Sequence, residues 1–237
     1  MKIIAYRSYT DIDIEFLDEF HYIKEHQTYS NFIRGQVKNP YDRTVYGVGF
    51  IGIGKHKVAI SKAVTPVYKA WAGMLERCYS KNMKHRNSTY YHISTVCDEW
   101  HNFQIFGDWY EENKYEINER LHVEKDILIP GNKIYSPDTC LLVPQVINAL
   151  FINKTNNRNL PNGIFRCGNG KYLARYTHLE LGVYDSVEEA YDAYTKEKKR
   201  NIIKVADKYK DIIPTKLYEA LLRYEFKIEN DRNYQAA

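Results

Sequence analysis

Three titratable side chains stand at two-residue spacing in the middle of the chain. They are His122, Glu124 and Asp126, and apolar Val123 and Ile127 alternate with them. A period of two is typical of a half-buried strand, so we expect the three polar side chains to share one face. An imidazole beside two carboxylates can exchange protons or hold a cation, although the same pattern also fits the solvated face of an ordinary strand.

The residues that follow predict the elements that must position this group. Residues 130–132 have turn chemistry, residues 140–143 form a short apolar run, and Pro144 suits the start of a helix. Apolar residues continue at helical spacing to residue 151, and Gln145 and Asn148 lie on a second face of that helix. The predicted order is therefore strand, loop, strand and helix, with carboxylates on the first strand and amides on the helix.

Five segments of this central region occur in the same order as the motifs of one protein family: WAGMLERCY, TVCDEWHNFQIF, EKDIL, GNKIYSPDTC and VPQVIN. Together they resemble a family of phage-borne HNH-type and homing-endonuclease-like proteins, and the resemblance covers residues 46–157. It implies the ββα-metal fold and hydrolysis of phosphodiester bonds in double-stranded DNA with Mg²⁺ or Mn²⁺. In that chemistry a metal neutralises charge on the scissile phosphate, and a base activates water.

The same resemblance implies roles for individual residues. Glu124 falls on the metal-binding carboxylate position, with Asp126 as a further ligand, and Asn148 falls on the final His or Asn position. Lys125 occupies the place of the usual histidine base. Because a lysine acts as a base only when its pKa is lowered, His122 is the alternative base.

Two departures from the pattern keep other functions open. Lys125 stands where the family has His, and Thr139 stands where it has Asn. A scaffold that has lost cutting could still bind DNA, without metal and in a salt-sensitive way. Recruitment of the scaffold to bind a host protein is a third alternative.

Composition is typical of a soluble globular protein. Of the 237 residues, 44% are hydrophobic and 27% are charged, with 22 tyrosines against 9 phenylalanines. Residues 71–150 carry net negative charge and both flanks carry net positive charge, which suits a metal-using core between nucleic-acid-binding arms. No segment resembles a membrane span or a signal peptide, so we expect a cytoplasmic protein.

Four cysteines are spread along the chain without a CxxC pair. A structural zinc site formed by several of them, with His101 or His85, is one alternative. The favoured alternative is that the cysteines are small, buried hydrophobic residues.

The amino-terminal part predicts a small β module and then two helices. Residues 1–5 and 11–16 have strand patterns, and the glycines of 45–60 are interpreted as tight turns. Residues 65–79 form a helix with Thr65 as its cap, and residues 97–113 form a second helix with an aromatic stripe. Arg77 lies off the apolar stripe, and Lys84 and Arg86 lie in a basic, aromatic loop. These three side chains are candidates for DNA contacts.

Asparagine-rich residues 153–162 predict a linker, and three short strands and a helix follow it. GIFRCGNGKYLARYTHLELGVYDSVEEAYDAYTKEKKRNI resembles the Apetala-type DNA-binding domain, a three-stranded sheet backed by one helix. Strand alternation assigns one set to the helix-packed face: Ile164, Cys167, Leu173 and Leu181. The candidates for the DNA face are Arg166, Lys171, Tyr172, Arg175 and Tyr176.

A last amphipathic helix is predicted over residues 214–226, packed on the preceding helix or on a second copy in a homodimer. The tail after Glu229 should be loose. The expected fold is α+β in three parts: a β module (1–62), an HNH-like core (63–155) and a DNA-binding domain (156–237).

Overall fold

The described part of the computed structural model, residues 1–81 and 93–234, combines small sheets with several helices and confirms the predicted α+β class. Its amino-terminal module contains β1 (Lys2–Ser8), β2 (Asp11–Glu15), β3 (Ile23–Gln27) and α1 (Tyr29–Ile33). The strands form one antiparallel sheet in that order. Ile12 and Ile14 alternate with acidic residues and are fully buried, as the sequence pattern predicts.

The central core is built around two helices, and the apolar stripe of the first packs against the aromatic stripe of the second. Its elements are β4 (Ala59–Ile60), β5 (Ala63–Val64), α2 (Pro66–Tyr79), β6 (Thr95–Val96) and α3 (Phe103–Asn113). The Thr65 hydroxyl caps α2 by accepting a hydrogen bond from the Tyr68 N–H at 3.3 Å. Trp71 and Trp100 are fully buried, and the Trp71 indole N–H donates to the Trp100 carbonyl at 2.7 Å.

The helix predicted from residue 97 starts later than expected. Asp98–His101 form a 3₁₀ turn, and α3 begins only at Phe103. Asn102 interrupts the helix because its side chain accepts a hydrogen bond from the Gln104 N–H at 2.9 Å and so becomes the cap.

The predicted strand, loop, strand and helix are all present. The two strands and the helix are β7 (Leu121–Glu124), β9 (Leu141–Pro144) and α4 (Gln145–Leu150). The loop between the strands contains a short strand that was not predicted, β8 (Ile134–Tyr135). β7 pairs antiparallel with β9, with Glu124 opposite Leu141, and β8 pairs in parallel with β6. Ile147 is fully buried, so α4 lies against the strands.

The carboxy-terminal part is a three-stranded antiparallel sheet covered by a long helix. Its elements are β10 (Ile164–Arg166), β11 (Tyr172–Tyr176), β12 (Leu179–Tyr184), α5 (Val187–Tyr209) and α6 (Thr215–Arg223). The sequence Ser-Val-Glu-Glu at 186–189 has the pattern of a capping box. Ser186 caps α5 by accepting from the Glu189 N–H at 3.1 Å, and the Glu189 carboxylate accepts from the N–H of Asp185, one residue before the cap, at 3.3 Å.

α5 and α6 also pack on the central core. Ile202 of α5 and Leu217 of α6 share one buried cluster with Val143 and Ile147. The apolar face of α6 is therefore covered within the same chain, which is the first of the two packing alternatives. No helix of the described residues is both long enough and apolar enough to cross a membrane.

The carboxy-terminal tail is not loose over its described length, contrary to the prediction. Asp231 and Asn233 are buried and hydrogen-bond the asparagine-rich linker. The Asn162 N–H donates to Asp231 at 3.0 Å, and the Asn156 N–H donates to Asn233 at 2.8 Å. The abundance of asparagine thus supplies paired backbone and side-chain contacts that join residues 153–162 to residues 230–233.

Candidate nuclease site

A cavity of about 410 Å³ opens where β7, α4, α2 and the linker meet. Its walls are Arg77, His122, Val123, Glu124, Asp126, Tyr135, Asn148, Phe151, Ile152, Asn153, Lys154 and Thr155. It therefore brings together the three titratable side chains of the first strand and the amide of the helix behind it. Five residues named from the sequence line it, and Lys125 is not among them.

Strand alternation explains which side chains reach the cavity. His122, Glu124 and Asp126 are half-buried on one side of the chain, whereas Val123, Lys125 and Ile127 are buried on the other. The alternation continues past the end of β7 at Glu124, so Asp126 keeps the orientation of the strand.

Glu124 is held by its own backbone. One carboxylate oxygen, Oε1, accepts hydrogen bonds from the N–H groups of Lys125 at 2.9 Å and Asp126 at 2.8 Å. Burial, followed by the charge of Asp126, raises the pKa of Glu124 from 4.5 to about 7. The site thus holds a carboxylate whose charge the protein compensates poorly.

His122 has the properties of a neutral imidazole. Burial lowers its pKa, and the positive charges of Arg120 and Arg77 act in the same direction. Within residues 1–81 and 93–234, neither ring nitrogen of His122 forms a hydrogen bond. A neutral ring with open nitrogens beside a carboxylate can take a proton from water.

The structure gives Lys125 a structural position in place of the expected catalytic one. Its side chain is buried, and its ammonium group donates to Asp126 at 2.7 Å and to the Asn132 carbonyl at 2.5 Å. The ammonium also lies 5.7 Å from the centre of the Tyr135 ring. Because Lys125 shares the inward side of the chain with Val123 and Ile127, it closes the loop between β7 and β8 from inside.

Several cavity residues were not expected from the sequence. Tyr135 is buried, and the Arg77 guanidinium lies 5.6 Å from the centre of its ring. Lys154 belongs to the predicted linker, and its carbonyl accepts from Asn233 at 2.9 Å. No local motif marks either residue, since both reach the cavity through long-range packing. Lys84, His85 and Arg86 lie outside the described residues.

The donor atoms of the cavity suit a hard divalent cation. Carboxylates at Glu124 and Asp126 and the amide of Asn148 offer oxygen ligands, and the cavity leaves room for the waters that Mg²⁺ retains. A bound cation would also compensate the buried charge of Glu124. The oxygen donors of these three residues are therefore of the kind that the metal implied by the resemblance requires. The ligand atoms of His122, Glu124 and Asp126 do not all lie within 4.8 Å of one another.

Another group of possible ligands lies in the amino-terminal module. Among the described residues, Asp11, Asp13 and His26 are the group of three or more His, Cys, Asp or Glu side chains whose ligand atoms converge. The Arg7 guanidinium already donates to both carboxylates and lowers the pKa of Asp11 and Asp13 to about 2. Their charge is thus compensated by the protein itself.

The cysteines do not form a convergent zinc-binding group within the described residues. Cys78 and Cys140 are buried, and burial raises the pKa of Cys78 to about 11 and that of Cys140 to about 12. Cys97 and Cys167 are half-buried. Protonated, buried thiols pack as small hydrophobes, in line with the favoured alternative.

The carboxy-terminal sheet has a different outer face from the one expected. Ile164 and Ala174 are fully buried, so residues of the same parity point towards α5. The Tyr176 hydroxyl accepts from Asn201 of α5 at 2.9 Å, and Tyr172 packs on the same core. Both tyrosines lie on the helix side, and Arg166 shares that parity, with its guanidinium 5.6 Å from the Tyr172 ring centre.

The face turned away from α5 carries an apolar row with arginines beside it. Phe165, Leu173 and Val183 are paired across the three strands, and Val183 is 54% exposed. Leu173 thus belongs to the outer face. The guanidinium groups of Arg158 and Arg175 lie 4.4 Å and 5.2 Å from the Phe165 ring centre.

Both outer-face cations of the predicted set are paired within the sheet. Arg175 contacts Glu180 at 2.7 Å, and Lys171, just before β11, contacts Asp185 at 2.8 Å. These pairs are exposed, so a phosphate can compete for either cation at low cost.

Comparison of the chain with known proteins gives no relative. No family model, no curated protein and no solved structure matches it.

Proposed function

We propose that this protein is a DNA endonuclease that hydrolyses phosphodiester bonds of double-stranded DNA with a divalent metal, Mg²⁺ or Mn²⁺. The observation that supports this most is the shared cavity of His122, Glu124, Asp126 and Asn148. Proton-accepting, metal-binding and phosphate-attracting groups stand on its walls together, which is what phosphodiester hydrolysis requires.

Each cavity residue has a proposed role. Glu124 and Asn148, with Asp126, hold the cation, which when bound neutralises charge on the scissile phosphate. His122 takes the proton of the attacking water, since its imidazole is neutral and its nitrogens are open. Arg77, on the α2 wall, adds positive charge where the phosphate enters.

The carboxy-terminal sheet is the proposed second DNA contact. Arg175 and Arg158 stand beside the apolar row of the outer face, and Lys171 lies at its edge. Arginine can bind guanine or phosphate and lysine can bind phosphate, so this face can hold a duplex while the cavity acts on it.

Plasmid cleavage tests the proposal. Wild-type protein with Mg²⁺ or Mn²⁺ should relax or linearise supercoiled DNA, and chelation should stop it. Glu124→Gln and His122→Ala should each slow cleavage by about 100-fold or more. Glu116→Gln, at an exposed site, should cut normally. Equal cutting by Glu124→Gln and wild type would remove the assignment.

A second function, DNA binding without cutting, is favoured by one observation. The residue at the expected base position, Lys125, is fully engaged in structural hydrogen bonds and does not line the cavity. This function predicts metal-independent, salt-sensitive DNA binding and no products at any metal concentration. A gel-shift titration with and without chelator, run beside the plasmid assay, separates the two functions.

A further inference from the structure

A second and larger cleft, of about 720 Å³, lies beside the nuclease cavity. It is formed by the first turn of α2, the last turn of α3, residues 55–60 and the connector that leads into β7. Its walls are Lys55, His56, Lys57, Ile60, Thr65, Pro66, Val67, Lys69, Tyr110, Glu111, Lys114, Tyr115, Ile117, Glu119, Arg120 and Leu121. The proposed function leaves this cleft without a role.

The walls of this cleft are held in place by hydrogen bonds. The buried Gln104 side chain of α3 donates to the carbonyls of Ile51 and His56, each at 3.1 Å, and accepts from the His56 N–H at 2.9 Å. The Thr65 hydroxyl donates to the Lys57 carbonyl at 2.8 Å. The segment that carries Lys57 is therefore fixed against both helices, and the cleft is pre-formed.

Gly54 makes this arrangement sterically possible. A Cβ atom at position 54 would lie 2.4 Å from Oε1 of Gln104, closer than side chains can pack. Gly54 thus allows the chain to approach α3 closely. The backbone around Gly54 presents Lys55 and Lys57 on the rim of the cleft.

The cleft is strongly positive. Five cationic side chains and two carboxylates line it. Glu111 is already paired with Lys114 at 2.5 Å, and Glu119 accepts from the Tyr209 hydroxyl and from the Gln145 N–H. The three cations Lys57, Lys69 and Arg120 are exposed, and no ion pair with the described residues is recorded for any of them. A polyanion could therefore bind these three cations without breaking an existing ion pair.

The interior of the cleft is apolar. Val67, Ile117 and Tyr110 form its floor beneath the cationic rim, and Tyr115 is tied back by its hydroxyl to the Leu142 carbonyl at 3.1 Å. The deoxyribose rings of a DNA backbone can pack on such a surface, whereas an isolated inorganic anion would use only the rim. The combination favours a nucleic acid strand.

The cleft and the nuclease cavity lie along one path. Arg120 lines the cleft and His122 lines the cavity, and they are two residues apart in extended chain, about 7 Å. α2 joins the same two sites, because Lys69 borders the cleft and Arg77 borders the cavity. Eight helical residues span about 12 Å, the axial length of three to four nucleotides.

We propose that this cleft binds the DNA backbone two to four nucleotides from the reacting phosphate, through Lys57, Lys69 and Arg120. The inference rests on the proposed function for the identity of the polyanion. It adds a binding site that neither the resemblance nor the nuclease cavity assigns.

Salt-dependent binding tests the cleft without requiring cleavage. The test protein carries Glu124→Gln with Lys57→Gln, Lys69→Gln and Arg120→Gln, and the reference carries Glu124→Gln alone. The ligand is a fluorescent 30-base-pair duplex in EDTA, and anisotropy is measured between 50 and 200 mM salt. The slope of log affinity against log salt is negative. If each cation contacts one phosphate, the magnitude of the slope should be smaller by about 2 to 3 in the test protein than in the reference.

A matched control carries Lys208→Gln, Lys210→Gln and Lys216→Gln on the Glu124→Gln background. These lysines are exposed on or beside α5 and α6 and lie outside the cleft and the cavity, so the magnitude of the slope should fall by less than 1. Circular dichroism and thermal unfolding establish that both triple variants remain folded. A cleft variant that unfolds is replaced by the single variants, each expected to lower the magnitude of the slope by about 1.

The outcomes separate the two proposals. A wild-type protein that does not cut, combined with a slope of smaller magnitude in the cleft variant, ends the nuclease assignment and supports the cleft. A wild-type protein that cuts, with equal slopes in cleft and control variants, ends the cleft assignment alone. Absence of any DNA binding at 50 mM salt overturns both.

Discussion

Replacing Glu124 by glutamine tests whether this carboxylate is held as a buried charge. The substitution keeps the shape of the side chain, and an amide oxygen can still accept the hydrogen bonds from the N–H groups of Lys125 and Asp126. It removes a negative charge that burial and Asp126 make unfavourable in the folded protein. The variant should therefore lose metal binding and gain stability at the same time.

The magnitude follows from the pKa of Glu124, which rises from 4.5 to about 7 on folding. Well below pH 4.5 the carboxyl is protonated in both states and does not distinguish them. As pH rises, the unfolded chain ionises first, so folding loses stability until the folded carboxyl also ionises above pH 7. At about 1.4 kcal/mol per pKa unit, the free energy of unfolding falls by roughly 3 kcal/mol between low pH and a pH above 7.

Urea denaturation in EDTA at pH 4 and pH 8 measures this difference. Glu124→Gln should match wild type at pH 4 and exceed it by up to roughly 3 kcal/mol at pH 8. Mg²⁺ or Mn²⁺ at pH 8 should stabilise wild type and leave the variant unchanged. Glu116→Gln is the exposed control and should show no pH-dependent gain.

Either of two results would refute the reasoning. If Glu124→Gln is less stable than wild type at pH 8, the carboxylate is compensated by its surroundings and is not poised for a cation. An equal difference at both pH values would have the same meaning, because it would not depend on ionisation.

Three further predictions concern the pH dependence of cleavage, the buried Lys125 and the carboxy-terminal tail. Cleavage by wild type should rise with pH through about 7, because Glu124 must ionise and burial holds the pKa of His122 below its usual value; initial rates from pH 5.5 to 8.5 measure this. Lys125→Met should lower the free energy of unfolding by about 1–3 kcal/mol, because the half-buried Asp126 carboxylate and the Asn132 carbonyl lose their donor. Because the Lys125 charge lowers the pKa of Glu124, the variant should shift the pH–rate profile to higher pH and keep the maximal rate; loss of cleavage at every pH would restore Lys125 as the base. Asp231→Ala should cost about 1–3 kcal/mol in urea denaturation, because the Asn162 N–H loses its acceptor; no loss would show that the tail does not hold the linker.

The local elements could be read from the sequence because they depend on neighbours in the chain. Period-two alternation placed Ile12 and Ile14 inside the first sheet and His122, Glu124 and Asp126 on one side of β7. The same alternation puts Lys125 on the inner side, so its exclusion from the cavity was already contained in the pattern. Lys125 was expected to be the base only because it occupies the position of the histidine in the family pattern.

Other features were decided by contacts between distant segments. The linker and tail bind each other through Asn162 and Asp231, 69 residues apart, and no local pattern pairs them. The outer face of the carboxy-terminal sheet depends on which strand residues α5 covers, so Tyr176 lies against Asn201 of α5 and not on the outer face.

The sequence alone therefore determined the order of strands and helices, the helix caps at Thr65 and Ser186, and the side of β7 that carries the titratable group. The tertiary structure decided that Asn148 and Arg77 meet that group in one cavity, and that a positive cleft adjoins it. The physical reason is that caps and alternation are short-range preferences of the backbone. A cavity exists only where separate elements pack and leave space between them.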